Sequence, residues 1–118
     1  MARRYDVLKD IARLERIVSE VPGTSGYAVV FTNDSAYWKS PTRADTVDAA
    51  FRIHEGRTIE GTLRWSESAG HGTTKGREAP LELAHSYHIA WRDYSAIPVS
   101  SYGQMRYLLN EVPPVRML

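Results

Sequence analysis

The chain has 118 residues, of which 42% are hydrophobic and 25% charged, with a formal net charge of +1 and no cysteine. This is the size and composition of one globular domain, predicted over 1–118, and the lack of cysteine excludes disulfides and thiolate zinc sites. The near-zero net charge excludes a bulk attraction to nucleic acid or anionic lipid, so any basic footprint must be local. No apolar run approaches the roughly 20 residues of a membrane helix, so the sequence predicts a cytoplasmic protein without membrane partners.

The first element predicted is an amphipathic helix over residues 5–21. Apolar residues recur there at helical spacing: Val7, Leu8, Ile11, Leu14, Val18 and Val21. Pro22-Gly23 ends the pattern. Residues 26–32 form an apolar run too short for a helix, which predicts a strand buried on both faces. A helical turn over 35–39 follows. A second helix is predicted from Asp45 to about Arg52, with Asp45 as its cap.

The C-terminal half is predicted to be mostly β-structure. Residues Thr58–Trp65 and Leu81–Trp91 alternate between apolar and polar, which predicts two half-exposed antiparallel strands. The connection over 66–80 is long for a hairpin loop. A last strand is predicted over Gln104–Val112. We therefore predict an α/β fold, with α+β as the alternative: a mixed sheet of four or five strands, the N-terminal helix packed on it, and a long-loop β-hairpin.

The glycine-rich segment 70–77 is a candidate anion contact. Its glycines expose backbone amides, and Lys75 and Arg77 add positive charge. It is not a P-loop, because Lys75 precedes a glycine and strands are predicted on both sides. The alternative interpretation is a solvated hairpin loop.

Trp38, Lys39 and Arg43 form a second candidate, because an aromatic ring beside cations suits nucleic acid. The alternative is that Trp38 packs on the first helix. Arg92 is expected beside the long loop. Together these two segments predict a nucleic-acid-binding set: Trp38, Lys39, Arg43, Lys75, Arg77 and Arg92.

The sequence predicts no catalytic residue, no metal ligand and no cofactor. Of the four histidines, His85 and His88 are closest, yet on a strand they face opposite sides. Asp34 follows a predicted strand, where sites often form, but a helix N-cap explains it as well. No segment has the surroundings of a nucleophile elbow.

Several segments, which together cover nearly the whole chain, occur in a distinctive order: Arg4–Asp6, Lys9–Ile11, Arg13–Glu15, Gly26–Ala28, Thr32–Asp34, Tyr37–Lys39, Asp45–Arg57, Gly61–Leu63, Gly72-Thr73, Lys75–Glu78, Trp91–Ser95 and Arg106–Leu109. In this order they resemble a group of bacterial proteins associated with the PD-(D/E)xK, restriction-endonuclease-like superfamily. The resemblance implies a nuclease-like core that corresponds to the C-terminal portion of that group. The group's upstream acid and Glu-x-Lys strand, which bind magnesium, have no counterpart here. The nearest match is Glu55-Gly56-Arg57, whose arginine keeps its proton and cannot act as a base.

The resemblance therefore implies a truncated or half domain that is not an active nuclease on its own, with Mg²⁺ bound only if another chain supplies the motif. The first functional hypothesis is a non-catalytic nucleic-acid-binding or nuclease-associated module that contacts DNA or RNA. The alternative is a protein-interaction or regulatory subunit that uses an open sheet edge. A third is a metal-dependent hydrolase assembled across a dimer from Asp34, Glu78 and Asp93. Because the missing strands would leave an edge and an apolar face exposed, a homo-oligomer or a partner protein is expected.

Overall fold

The computed structural model describes residues 2–43, 46–96 and 104–115, and the statements below refer to these residues. The chain begins with one long helix and continues mainly as antiparallel β-structure. The helices and strands are α1 Ala2–Glu20, β1 Gly26–Thr32, β2 Thr58–Leu63, α2 His71–Thr74, β3 Leu81–His88, β4 Trp91–Ala96 and β5 Gln104–Val112. Two 3₁₀ turns, at Ser35–Tyr37 and Ala49–Phe51, lie between β1 and β2.

The strands form two antiparallel sheets rather than one. The larger sheet has the order β1-β5-β4, and the smaller one is the β2-β3 hairpin. α1 packs against both, through contacts with β1, β5 and β3. The predicted mixture of helix and sheet is confirmed in its α+β form, although each sheet is smaller than the predicted four or five strands. No helix in the described part of the chain has the length and apolar character needed to cross a membrane.

The predicted strand over Leu81–Trp91 is wrong as a single element, because β3 and β4 belong to different sheets. The alternation of burial continues through the junction, where Tyr87, Ile89 and Trp91 are all buried. At the junction, the Ile89 amide donates to the Arg57 carbonyl (2.8 Å), and the Gly56 amide donates to the Ile89 carbonyl (2.9 Å). The chain leaves the hairpin there and pairs with β5. Period-two burial is thus preserved while the pairing partner changes.

Two further predictions need correction. The helix predicted up to Arg52 is only the 3₁₀ turn Ala49–Phe51, and its predicted cap, Asp45, lies outside the described residues. The Thr46 hydroxyl donates to Asp48 (2.7 Å), a local hydrogen bond of the kind that competes with helix formation. The strand predicted to be buried on both faces has one covered face, because α1 packs on only one side of β1 and leaves Phe31 55% exposed.

The core lies between α1 and the two sheets. Its best-defined part is an aromatic cluster in which the Phe51 ring lies 5.1 Å from that of Tyr5 and 4.7 Å from that of Trp65, centroid to centroid. This cluster joins α1, the turn at 49–51 and the end of β2. It therefore sets the position of the segment 46–54, whose polar side chains line the site described below.

Glu15 of α1 fastens an irregular part of the β2-β3 hairpin. The register shifts between Ile59 and Gly61, so residues 84–86 of β3 have no regular cross-strand partner. The Glu15 carboxylate accepts hydrogen bonds from the amides of Ala84 (2.8 Å) and His85 (3.1 Å) and from the Tyr87 hydroxyl (2.7 Å). Burial, followed by the bond to Glu15, raises the pKa of Tyr87 above its usual range. The hairpin is thereby tied to the helix by one charged group.

Replacing Glu15 with alanine is expected to lower the free energy of unfolding by about 2 kcal/mol, because hydrogen bonds to charged groups contribute about 1.5–3 kcal/mol and this site is partly exposed. Chemical denaturation of the Glu15→Ala variant would measure the loss. Arg16→Ala is a suitable control, since Arg16 is the exposed neighbouring residue on α1. Equal stabilities of the two variants would contradict the role assigned to Glu15.

Candidate anion-binding cleft

A cleft of about 340 Å³ opens beside the start of α1 and is lined mainly by residues 36–43 and 46–54. Among the described residues, four cationic side chains and one carboxylate contribute to its wall, an excess of three positive charges in a chain whose overall charge is +1. The charged lining residues are Arg4, Lys39, Arg43, Arg52 and Asp48. We call this site the anion-binding cleft. Because the net charge of the chain is near zero, any basic surface must be local, and this cleft is such a local concentration of positive charge.

Arg4 is held in place from three sides. Its Nη2 donates to the Ala36 carbonyl (2.9 Å), its guanidinium carbon lies 4.9 Å from the centre of the Tyr37 ring, and its Nη1 lies 3.7 Å from Asp48 Oδ2. Asp48 is only 5% exposed and accepts the Thr46 hydroxyl proton at 2.7 Å. These contacts fix a guanidinium in one wall, so less conformational entropy is lost when it contacts an anion.

Arg52 lines the cleft, and Arg57, outside the lining, contacts its backbone. Arg52 donates to the Arg43 carbonyl and the Thr46 hydroxyl, and Arg57 donates to the Arg52 carbonyl. Burial, followed by the charge of Arg52, lowers the pKa of Arg57. Two guanidiniums are therefore close enough to repel each other, and an anion nearby would relieve this repulsion.

His54 also lines the cleft, and its Nδ1 atom is buried without a hydrogen-bond partner. Burial lowers the pKa of the imidazole from its ordinary value, and the charges of Arg57 and Arg52 lower it further. The ring is therefore neutral at pH 7. An unsatisfied buried nitrogen in a positively charged cleft is a group whose protonation an anion would favour.

The structure places only two of the six predicted binding residues in the cleft. Lys39 and Arg43 line it, and both are exposed. Trp38 is 6% exposed, with its ring 5.9 Å from that of Trp91 and covered by the Arg106 guanidinium at 4.9 Å. Its ring is therefore part of the core and offers no open face for a base, in agreement with the packing interpretation, although its neighbours here are β4 and β5 rather than α1.

The other predicted cations lie outside the lining of the cleft. Arg77 forms a two-pronged pair with Asp6 of α1, at 2.8 and 2.9 Å, and this bond lowers the pKa of Asp6 and raises that of Arg77. Lys75 is exposed after α2. The connection over 66–80 is docked on α1, because the Tyr5 hydroxyl donates to the Ala79 carbonyl at 2.8 Å. Arg92 is exposed on β4.

Arg4 and Arg52 are the cleft residues that the sequence analysis did not identify. They lie 48 positions apart in the chain, and nothing local to either one indicates that they meet. Asp48, which lies beside Arg4, was likewise not identified. Their proximity results from the packing of α1 on the 3₁₀ turn at 49–51.

The three acids considered for hydrolysis each have a structural contact. Asp34 accepts the Ala36 amide at 3.0 Å and so caps the first 3₁₀ turn, as its N-cap interpretation predicted. Glu78 accepts the Gly76 amide at 2.8 Å, and Asp93 lies 3.1 Å from Arg106. Across residues 2–43, 46–96 and 104–115, no group of three or more His, Cys, Asp or Glu side chains is arranged to hold a metal ion.

No protein-family model matches the chain, and no curated protein or solved structure shows significant similarity to it. The relationship to the restriction-endonuclease-like superfamily stays a prediction from the sequence. The functional argument below therefore depends on the geometry and charge of the cleft.

Proposed function

We propose that the chain is a non-catalytic nucleic-acid-binding module that contacts the phosphate backbone through the anion-binding cleft. The observation that carries the proposal is the excess of three positive charges around one concave site. Phosphodiesters carry one negative charge each, and neutralising them releases condensed counterions, which drives binding. A solvated mixed surface would carry balanced charges instead.

The types of cation and their exposure support this ligand class. Arginine presents a planar fork of donors that matches phosphate oxygens, and Arg4 and Arg52 are already oriented by backbone carbonyls. Lys39 and Arg43 are exposed at the cleft, where they can reach a strand that passes over it. Contacts of this kind orient a nucleic acid but do not distinguish its bases. The proposal therefore includes weak sequence preference.

The non-catalytic part of the proposal rests on the segment closest to the nuclease motif. The Glu55 carboxylate accepts the Trp91 amide proton at 2.7 Å, and Arg57 donates to the Arg52 carbonyl. Gly56 between them has a φ of +87°, which glycine adopts readily. These residues therefore form a turn that joins the cleft wall to β4, and both charged side chains are used to hold the backbone.

Fluorescence anisotropy of a labelled single strand and a labelled duplex, each titrated at several salt concentrations with and without Mg²⁺, tests the proposal. We expect micromolar affinity at low salt. Log affinity should fall against log salt with a slope of about −3, because three or four phosphate contacts each contribute about 0.7–0.9. No binding at low salt would contradict the proposal, and cleavage with Mg²⁺ would contradict its non-catalytic part.

Binding should raise the pKa of His54. In the free protein burial lowers this pKa, so the contribution of the imidazole to stability is present above the unfolded-state pKa and is lost as pH falls through the folded-state pKa. A phosphodiester stays ionised over this range and favours the imidazolium, so linkage requires tighter binding at lower pH. NMR titration of the His54 ring protons with and without an oligonucleotide would measure the shift. His88, which is exposed on β3, is the control, and an equal shift in both rings would contradict a site at the cleft.

A second candidate function, a protein-interaction or regulatory subunit, is favoured by a different observation. One face of the larger sheet is apolar and exposed. The sequence analysis predicted that an open sheet edge would take the partner, and this exposed face is a second surface that could do so.

A further inference from the structure

The outer face of the β1-β5-β4 sheet, opposite α1, carries a continuous apolar surface. Large side chains project from it with about half of their area exposed, from 45% for Leu109 to 66% for Tyr94. We call this surface the outer sheet face. Its most exposed members are Tyr27, Val29, Phe31, Tyr94 and Leu109.

These side chains are neighbours across the sheet. Val29 is paired with Leu109, and Phe31 with Tyr107. The Phe31 ring lies 5.3 Å from that of Tyr94 and 5.7 Å from that of Tyr107, centroid to centroid. An exposed aromatic cluster of this kind is in contact with water on one side only, so covering it would bury surface without rearranging the sheet.

The exposed apolar area is on the order of 500 Å², from half-exposed aromatic residues that bury 150–250 Å² each. This is at the upper end of the largest patch on a typical monomer. An interface adds a polar rim to such a core, and a stable one covers about 800 Å² on each subunit. The outer sheet face is therefore large enough for a dimer.

The outer sheet face carries opposite charges at its two ends. Glu111 lies at one end of the β5 row and accepts the Tyr27 hydroxyl proton at 3.0 Å. Arg92 on β4 is paired with Tyr107 of β5. Tyr107 precedes Glu111 by four residues, so the two positions lie about 14 Å apart along the strand at 3.4 Å per residue. Leu109 lies halfway between these two positions. A two-fold axis at Leu109, lying between the sheets and perpendicular to the strands, exchanges the two ends.

We propose that a second copy of this chain covers the outer sheet face, in a homodimer whose two-fold axis passes at Leu109. In this arrangement Leu109 packs on Leu109 of the second copy and Phe31 on Tyr27 of the second copy. Viewed perpendicular to the sheets, Arg92 lies one strand spacing, about 4.8 Å, to the side of Glu111 of the second copy. Aligned packing of two sheets in this way is the geometry of β-sandwiches. The interface is separate from the anion-binding cleft.

Sedimentation velocity and light scattering over 1–100 µM test the proposal. The wild-type chain is expected to be a dimer at tens of micromolar. A monomer throughout this range would overturn the proposal, even if another protein covers the outer sheet face. Leu109→Arg places two arginines against each other at the axis and should raise the dissociation constant at least 100-fold. Ile17→Arg is the matched control, because Ile17 is a 55% exposed apolar residue on α1, and it should leave the dimer intact. Circular dichroism verifies that both variants are folded.

A charge exchange tests the two-fold arrangement itself. Arg92→Glu and Glu111→Arg each place like charges across the interface, so each alone should weaken the dimer about tenfold. The double variant restores opposite charges and should recover most of the wild-type affinity. A double variant that is no better than the single variants would overturn the arrangement. Lys39→Glu, which changes the anion-binding cleft, should leave dimerisation unchanged.

Discussion

Reversing the charges of Lys39 and Arg43 together is expected to weaken nucleic-acid binding about 100-fold at low salt. Each substitution removes one phosphate contact and introduces repulsion, and one contact is worth about a factor of ten, or about 1.4 kcal/mol. The slope of log affinity against log salt should become shallower by about 1.4–1.8. Both residues line the cleft and both are exposed, so the double variant Lys39→Glu/Arg43→Glu should keep its fold.

The matched control is Arg16→Glu/Arg64→Glu, which changes the net charge by the same amount. Both residues are exposed, on α1 and after β2, and neither lines the cleft. We expect this control to lose no more than about threefold in affinity, through the long-range field alone. An equal loss in the two double variants would show that only net charge matters, and the cleft would then have no special role.

These two exposed residues are better targets than Arg4 or Arg77. Arg4 lies beside the buried Asp48 carboxylate, and removing one partner of a buried pair leaves an uncompensated charge. Arg77 holds the 66–80 connection to Asp6 of α1. Substitution at either position would therefore combine a loss of stability with any loss of binding.

Phe51→Ala is expected to lower the free energy of unfolding by about 3–5 kcal/mol, the usual cost of truncating a buried aromatic residue. Phe51 is 0% exposed and is in ring contact with Tyr5 and Trp65. Its loss leaves a cavity where α1, the turn at 49–51 and the end of β2 meet. Equilibrium denaturation in urea would measure the change as a lower midpoint with an unchanged slope.

Phe31→Ala provides the comparison, because the same truncation at a 55% exposed position should cost less than about 1 kcal/mol. Both substitutions are best measured in the Leu109→Arg background, so that association does not contribute to stability. A cost below 1 kcal/mol for Phe51→Ala would mean that the aromatic cluster is not the support of the cleft wall. At a temperature where the Phe51→Ala variant is still folded, its oligonucleotide affinity should be reduced, since residues 46–54 lose their backing.

The elements that the sequence predicted best are those whose signals are local. The apolar spacing from Val7 to Val18 reports one helix because side chains three and four apart share a face, and α1 confirms it. The last strand has the predicted bounds, Gln104–Val112. The cap at Asp34 is equally local, since donor and acceptor are two residues apart.

Two of the three failures in the fold concern partners distant in sequence, and the third is local. Alternation from Leu81 to Trp91 correctly reports which side chains are buried, but the same alternation is compatible with one strand or with two strands in different sheets. The apolar run at 26–32 suits a strand covered twice, and only the position of α1 shows that one side is bare. In the third, the apolar spacing of Val47, Ala50 and Phe51 is compatible with a capped helix or with a hydrogen-bonded turn.

The sequence by itself determined the long N-terminal helix, the burial pattern of the strands and the need for any positive charge to be local. The tertiary structure decided which cations share a site, because Arg4 and Arg52 line the same cleft only when α1 packs on the turn at 49–51. It also decided that Trp38 is part of the core and that Tyr27, Val29 and Phe31 face solvent. Periodicity depends on the geometry of one segment, whereas a cleft and an exposed face depend on which segments pack together.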